Sequence, residues 1–340
     1  MLLGDIFELL KSDVWINNKI RPWSASRSQV GQATIEVLDG IERNNQRFFD
    51  AIQEFRVSLG LAVEYIAGNH DGIIADTGVD GVRKKVRDLI PGISGSEDEE
   101  FESTLVDFDH GVVAEHGHQF DPFNQPVEAT CFVPGDAVVV EMVVQLPRRA
   151  ATALGSATGK EEVDQFEDRL LFLQELDNVL PQDLSGMMRW LEFRLDGLTS
   201  AARSEIAEAI STAVRQCGKE LRVVMRQNNA STFERRVIGA LTSHKMFTKF
   251  GWLRTFARLP IAAPDPTSSI ARRLGTYGAM SSPRAQSLDL YIAGHTHATS
   301  QQEFVLAGGR RMTYLNTGTW RRGGRTYTCH PASAVLQVGA

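Results

Sequence analysis

Three stretches of the chain end an apolar run on a glycine or an acid and then on side chains able to hold metals or move protons. "YIAGNHD" at 65–71 closes on Asn69, His70 and Asp71, "VVAEHGHQFD" at 112–121 carries His116 and His118, and "YIAGHTH" at 291–297 closes on His295 and His297. A fourth, "LLGDIFE" at 2–8, reaches Asp5 through Gly4, with Glu8 three positions on. Imidazole nitrogen suits zinc, iron and nickel, carboxylate and amide oxygens suit harder ions such as manganese, and a mixed set favours divalent first-row metals. Two such ions sharing a carboxylate, at ~3.5–4 Å separation, can clamp a phosphate and activate a water. On that reading Asn69 offers its side-chain oxygen to a metal, and His70, next along the turn, faces the leaving group.

Donors so far apart in sequence meet only if the elements before them converge. A glycine lets the backbone turn sharply at a strand end, and the carboxyl ends of neighbouring strands in a layered α/β fold open onto one crevice. The apolar positions Ile35, Leu38, Ile41, Phe48, Ile52 and Phe55 recur at helical spacing within 28–59, and 61–67 reads as a buried strand. A helix is expected over 79–90, an acidic turn-rich loop over 91–100, and two strands around the Asp109-His110-Gly111 turn.

From 134 to 285 the pattern becomes helical, with Val163, Phe166, Leu170, Leu173 and Leu176 in one run and Ile206, Ile210, Val214 and Leu221 in another. Ser231 and Glu234 have the spacing of a capping box. Strand patterns return at 288–298, 303–307, 310–320 and 333–338, with no internal repeat.

The ordered set Gly4-Asp5-x-x-Glu8, Gly68-Asn69-His70-Asp71, His116-Gly117-His118 and Gly294-His295-Thr296-His297 resembles the calcineurin-like metallophosphoesterases of bacterial type. Asn316, Thr317, Gly318, Thr319 and Trp320 are similar to the family's closing strand-turn. The likeness spans both ends of the chain and skips the helical middle. It implies an α/β fold, a two-sheet αββα sandwich formed by 1–133 and 286–340, with 134–285 as a helical insertion or cap. It implies two divalent ions, manganese, iron or zinc, with Asp5 bridging them, Asn69, His116 and His295 completing one site, and His297 in the other. His70 would act on the transition state or protonate the leaving oxygen, oriented by Glu8, which stands where the family more often has Asp. The implied reaction is hydrolysis of a phosphomonoester, phosphodiester or pyrophosphate by a metal-bound hydroxide.

One family motif is absent: no Asp in this chain is followed two positions later by His, so the family's opening D-x-H is missing. The expectation is a sequence that starts at an internal methionine, without its first core strand. The rival expectation is a catalytically impaired scaffold that keeps one metal or none and works as a protein-binding module.

Blander roles compete for several residues. His295 and His297 could form an exposed polar strand edge; His118 could be a partner of a ligand, a substrate contact or a structural hydrogen-bonding group. His110 is read as a solvated turn residue, and His244 and His330 as structural. Asp71 is read as capping the helix after it, with tuning of His70 as the alternative. Asp121 and Asn124 are read as turn formers ahead of prolines or loops. The basic and aromatic stretch at 244–259 could face an anionic lipid surface or a nucleotide-containing substrate, or pack as an amphipathic helix. An insertion there is expected to help choose the substrate.

Composition narrows the partners. With 36 Lys and Arg against 42 Asp and Glu, the net charge of −6 argues against a protein built mainly to hold nucleic acid. Cys131, Cys217 and Cys329 form no C-x-x-C pair, which suggests neither a disulfide framework nor a thiolate zinc site. No signal peptide or membrane-length apolar run is evident, so a cytoplasmic protein with a phosphate-ester substrate is expected, with peripheral membrane contact open and the oligomeric state unassigned.

Overall fold

The computed structural model describes residues 1–76, 79, 81–96, 99–120, 124, 132–145, 148, 200–227, 287–295, 300–305 and 309–317, and the architecture is mixed α/β. The chain divides into two compact units: Met1–Leu9, Ala25–Gln125 and Pro264–Ala340 form one, Leu10–Ser24 and Pro126–Ala263 the other. Residues 10–24, which the sequence pattern places with the core segment 1–133, belong to the second unit.

In the first unit β1 (Leu2–Leu3) pairs in parallel with β2 (Tyr65–Ile66), and the crossover between them carries the helix α1 (Arg27–Leu59). That helix starts on a capping box: Ser26 Oγ accepts from the Gln29 backbone N–H, and the Gln29 side chain accepts from the Ser26 N–H. It ends at Gly60 in the left-handed conformation. Val30, Ala33, Val37 and Leu38 bury one face at three-to-four spacing, and a kink at Asn45 (φ −129°) follows. Beyond the kink only Phe49 is buried. The strand expected over 61–67 is shorter, two paired residues in β2 and a single bridge from Val63 to Ile93. Helix α2 (Val82–Leu89) buries Val82, Val86 and Leu89, and its Lys85 ion-pairs with Asp39 and Glu42 of α1 at 2.7 and 2.8 Å.

A second sheet contains β3 (Thr104–Asp107), β4 (Val112–Glu115), β5 (Leu290–Ala293), β6 (Ser300–Val305) and β7 (Arg311–Asn316), in the order β3-β4-β5-β7-β6. The inner strands β4, β5 and β7 run parallel, and the antiparallel strands β3 and β6 lie at the edges. Every residue of β4 is buried, as a central strand covered on both faces requires, whereas edge strand β6 alternates between half-buried and exposed. Val113, Tyr291, Ala293, Met312 and Tyr314 form the core on one face. On the other, Val112, Ala114 and Ile292 pack with Ile66 of β2, against which Leu3 of β1 also lies, so the short parallel pair covers this face. Residue parity along β4 and β5 thus decides which of the two faces a side chain serves.

The second unit is organised around a buried polar network. Glu141, on the π-helical turn Val139–Val144 that continues Pro134–Val138, is fully buried, paired with Arg21, and accepts from Gln145 Nε2 at 2.6 Å. The Trp23 indole donates to Glu220 of α3 (Ser200–Gln227) at 3.0 Å, and Gln227 donates to the Trp23 carbonyl at 2.7 Å. These bonds tie 10–24 to the helical residues. Burial among apolar neighbours, with Glu141 and Glu220 nearby, pushes the Cys217 thiol far up, leaving it inert.

Among the described residues no helix is long and apolar enough to cross a membrane. The expectations for Val163 to Leu176, Ser231 and Glu234, 244–259, 333–338, His244, His330 and Asp121 lie outside the described residues.

Candidate metal centre

The parallel strands deliver their carboxyl ends to one place. Asp5 follows β1, Asn69 and His70 follow β2, His116 follows β4 and His295 follows β5. The approach is close enough to exclude side chains at two positions. A Cβ on Gly68 would lie 2.1 Å from Asp5 Oδ1 and 2.5 Å from its backbone nitrogen; one on Gly4 (φ +71°) would lie 2.1 Å from His116 Nδ1. Asp5 and Glu8 themselves adopt positive φ, 49° and 48°, a conformation costing about 1–3 kcal/mol for such residues and concentrated at functional sites.

His116 Nε2 stands at the middle of the cluster. It lies 3.0 Å from Asp5 Oδ2, 3.1 Å from Asn69 Oδ1 and 3.3 Å from His295 Nδ1. The other ring nitrogen of His116 faces the Leu3 carbonyl at 3.3 Å, which calls for a proton there and turns Nε2 inward. One imidazole N–H can serve one of three surrounding acceptors; a cation can take all four. Ligands bound at ~2.0–2.2 Å are ~2.8–3.1 Å apart in an octahedral and ~3.3–3.6 Å apart in a tetrahedral arrangement, and the separations between His116 and its neighbours fall within that span. Asp5, His116 and His295 all present ligand atoms within 4.8 Å of one another, and the residues therefore fit a divalent ion with a mixed nitrogen and oxygen shell.

Each donor is held by a partner. Asp5 Oδ1 accepts from the His70 backbone N–H at 2.8 Å, leaving Oδ2 to the cluster. Asn69 Nδ2 donates to Asn124 Oδ1 at 3.3 Å, which fixes the amide with its oxygen toward His116. The His116 carbonyl accepts from the backbone N–H groups of Gly294 and His295 at 3.0 and 2.9 Å, locking the ends of β4 and β5 together. At the border of the cluster His70 Nδ1 meets Glu8 Oε2 at 2.7 Å, so the longer Glu side chain reaches the imidazole.

The electrostatics ask for positive charge. Burial works against an ionised Asp5, but His116 and His70 outweigh it and hold the carboxyl well below its usual range. Burial likewise disfavours charge on His116, yet attraction to Asp5 and a hydrogen bond donated to its carboxylate raise the His116 pKa overall. His118, desolvated and facing His116 and His295, is driven down to about 3 and stays neutral. Its ring centre is 5.4 Å from that of His116, and its Nδ1 is buried with no hydrogen-bond partner among the described residues.

Two residues behave differently from their sequence-based assignments. Asp71 makes no side-chain cap on the turn Gly72–Ala75. Its Oδ2 instead accepts from the Ile6 N–H at 2.8 Å and the Tyr65 hydroxyl at 2.9 Å, so it fastens the Asp5 loop to β2; burial, with Asp5 nearby, raises its pKa to about 7. Asn124, read as a turn former, is buried and orients Asn69. No spacing signal marks it, because its partner is distant in sequence. His110 is the exposed turn residue expected, paired with Asp107 at 2.8 Å. His297 lies outside the described residues, as do Gly318, Thr319 and Trp320. In comparisons with known proteins, no family model, no curated protein and no solved structure matches this chain.

Proposed function

We propose that the protein is a metal-dependent phosphoric ester hydrolase, acting on a phosphomonoester, phosphodiester or pyrophosphate, with the two sheets forming the αββα sandwich of the metallophosphoesterases. The observation that carries this reading is the meeting of Asp5, Asn69, His116 and His295 around His116 Nε2, at separations suited to donors sharing one ion. A divalent ion in that cradle supplies Lewis acidity toward a phosphoryl oxygen and acidifies a water. Asp5 brings the negative charge, and Asn69 and the two histidines complete the shell; a second ion would take Asp5 and His297.

His70 has a separate task. Its ring is buried beside the cluster, 4.0 Å from Asp5 Oδ2, and Glu8 accepts its Nδ1 proton. That bond sets the tautomer and orientation and steadies positive charge on the ring, so that Nε2 can donate to an oxygen on the transferred phosphoryl group or the leaving alcohol.

Metal content by mass spectrometry, followed by turnover of an aryl phosphodiester with added manganese, iron or zinc, tests the proposal. At least one equivalent of metal and metal-dependent turnover are expected, with turnover falling roughly 10²–10⁴-fold in His70→Ala while metal content holds. A chain that takes up no metal, or that loads fully and hydrolyses no phosphoester, would favour the scaffold reading instead.

A further inference from the structure

The short stretch after β1 carries two groups of the site. Asp5 presents Oδ2 to the cluster around His116, and Glu8, three positions on, meets His70 Nδ1. No helix or strand includes residues 4–8, and Gly4, Asp5 and Glu8 all have positive φ. A conformation that side-chain-bearing residues disfavour persists only where bonds from outside the stretch hold it.

Those bonds converge on one oxygen. Asp71 Oδ2 accepts from the Ile6 N–H at 2.8 Å and lies 3.5 Å from the Phe7 nitrogen, so the backbone between Asp5 and Glu8 folds over a single carboxylate oxygen. The same oxygen accepts from the Tyr65 hydroxyl at 2.9 Å. Asp71 Oδ1 is buried with no hydrogen-bond partner among the described residues, so the anchoring of this fully buried side chain runs through Oδ2. A carboxylate in a dry interior that loses a donor becomes a costly group and has every reason to move.

Tyr65 is built to deliver its hydroxyl to a fixed point. Its backbone pairs with Leu2 in the parallel ladder, and its buried ring lies edge-on to Phe101 at 5.0 Å and to Phe7, itself part of the stretch, at 6.0 Å. Phe would fill the same space; the hydroxyl adds the bond to Asp71. We infer that Tyr65 is a positioning residue for the site: acting through Asp71, its hydroxyl holds residues 5–8 in the conformation that turns Asp5 toward the metal cluster and Glu8 toward His70. The inference rests on the metal-centre reading proposed above. Because one tether serves both Asp5 and Glu8, loosening it weakens metal binding and the orientation of His70 together.

Tyr65→Phe removes the hydroxyl and keeps the ring. In the metal-free full chain, hydrogen exchange over the peptide containing Ile6 and Phe7 should quicken roughly 5–10-fold, the worth of one hydrogen bond, with exchange in β4 and β5 unchanged. Manganese affinity by chelator competition should fall roughly 10-fold, and at saturating manganese kcat on an aryl phosphodiester should fall by a similar factor while KM holds. Phe101→Leu, which loosens the packing around the same ring and spares the hydroxyl, should lower the melting temperature and bind manganese like the wild type. Asp71→Asn, which removes the charge on which the donors converge, should repeat the Tyr65→Phe pattern and serves if that variant fails to fold. Unchanged exchange at Ile6, or undiminished manganese affinity in folded Tyr65→Phe, overturns the inference, as does an equal loss of affinity in Phe101→Leu. A wild type that binds no manganese, iron or zinc overturns the metal-centre reading instead, and the exchange at Ile6 still decides whether Tyr65 holds the stretch.

Discussion

Asn124 shows how the proposed metal cradle would depend on residues that never touch an ion. An amide side chain can present oxygen or nitrogen, and only a fixed partner decides which one faces His116. The bond from Asn69 Nδ2 to Asn124 Oδ1 decides it here. Replacing Asn124 by Ala frees the Asn69 amide, and the affinity for a divalent metal, measured by chelator competition, should drop roughly 10–100-fold. Asn124→Asp keeps an oxygen acceptor at that place and should restore most of the affinity. Equal affinity in Asn124→Ala would mean that the amide is held by other means. The glycines act by what they lack: Gly4 and Gly68 leave His116 and Asp5 the space a Cβ would fill.

At the scale of the element, α1 packs differently on either side of its kink. Its first half packs into the core and is fastened to α2 through Lys85, which is held by Asp39 and Glu42. Hydrogen bonds from Lys85 to those two carboxylates, Asp39 first, raise its pKa, while partial burial opposes them. A cation with a raised folded pKa contributes stability that is complete below its unfolded value near ~10.4 and is lost as pH climbs through the higher folded value. Lys85→Met should accordingly lower the urea-unfolding free energy by about 0.5–1 kcal/mol at pH 7. The difference should shrink in about 1 M salt and vanish above the folded pKa. A loss independent of pH and salt would assign Lys85 to packing by its aliphatic stem. Past Asn45 the helix keeps one buried anchor, Phe49, whose ring stacks on that of Phe7 at 6.5 Å.

At the scale of the molecule, the sequence exposes the plan of the site better than its construction. Glycine-punctuated strand ends announced Asp5, Asn69, His116 and His295 as neighbours because each motif is local: an apolar run, a turn and a donor within a few residues. Helix α1 and the β3–β4 hairpin were legible for the same reason, through periodicity and the Asp109-His110-Gly111 turn. Asp71 was not, because its partners Ile6 and Tyr65 are brought to it only by the parallel pairing of β1 with β2. Nor was the length of β2, since an apolar run records burial and leaves open how many residues find a ladder partner. The grouping of 10–24 with the helical unit rests on Arg21 meeting Glu141 and Trp23 meeting Glu220, pairs separated by more than a hundred residues.

The central claim is that donors from four strand ends share one cation. X-ray absorption at the metal edge of the loaded chain tests it most directly, because the fine structure distinguishes imidazole from oxygen ligands. The account predicts a mixed shell containing two imidazoles and oxygen donors, with one imidazole lost in His295→Ala. A shell of oxygen alone, or one unchanged by that substitution, would contradict it.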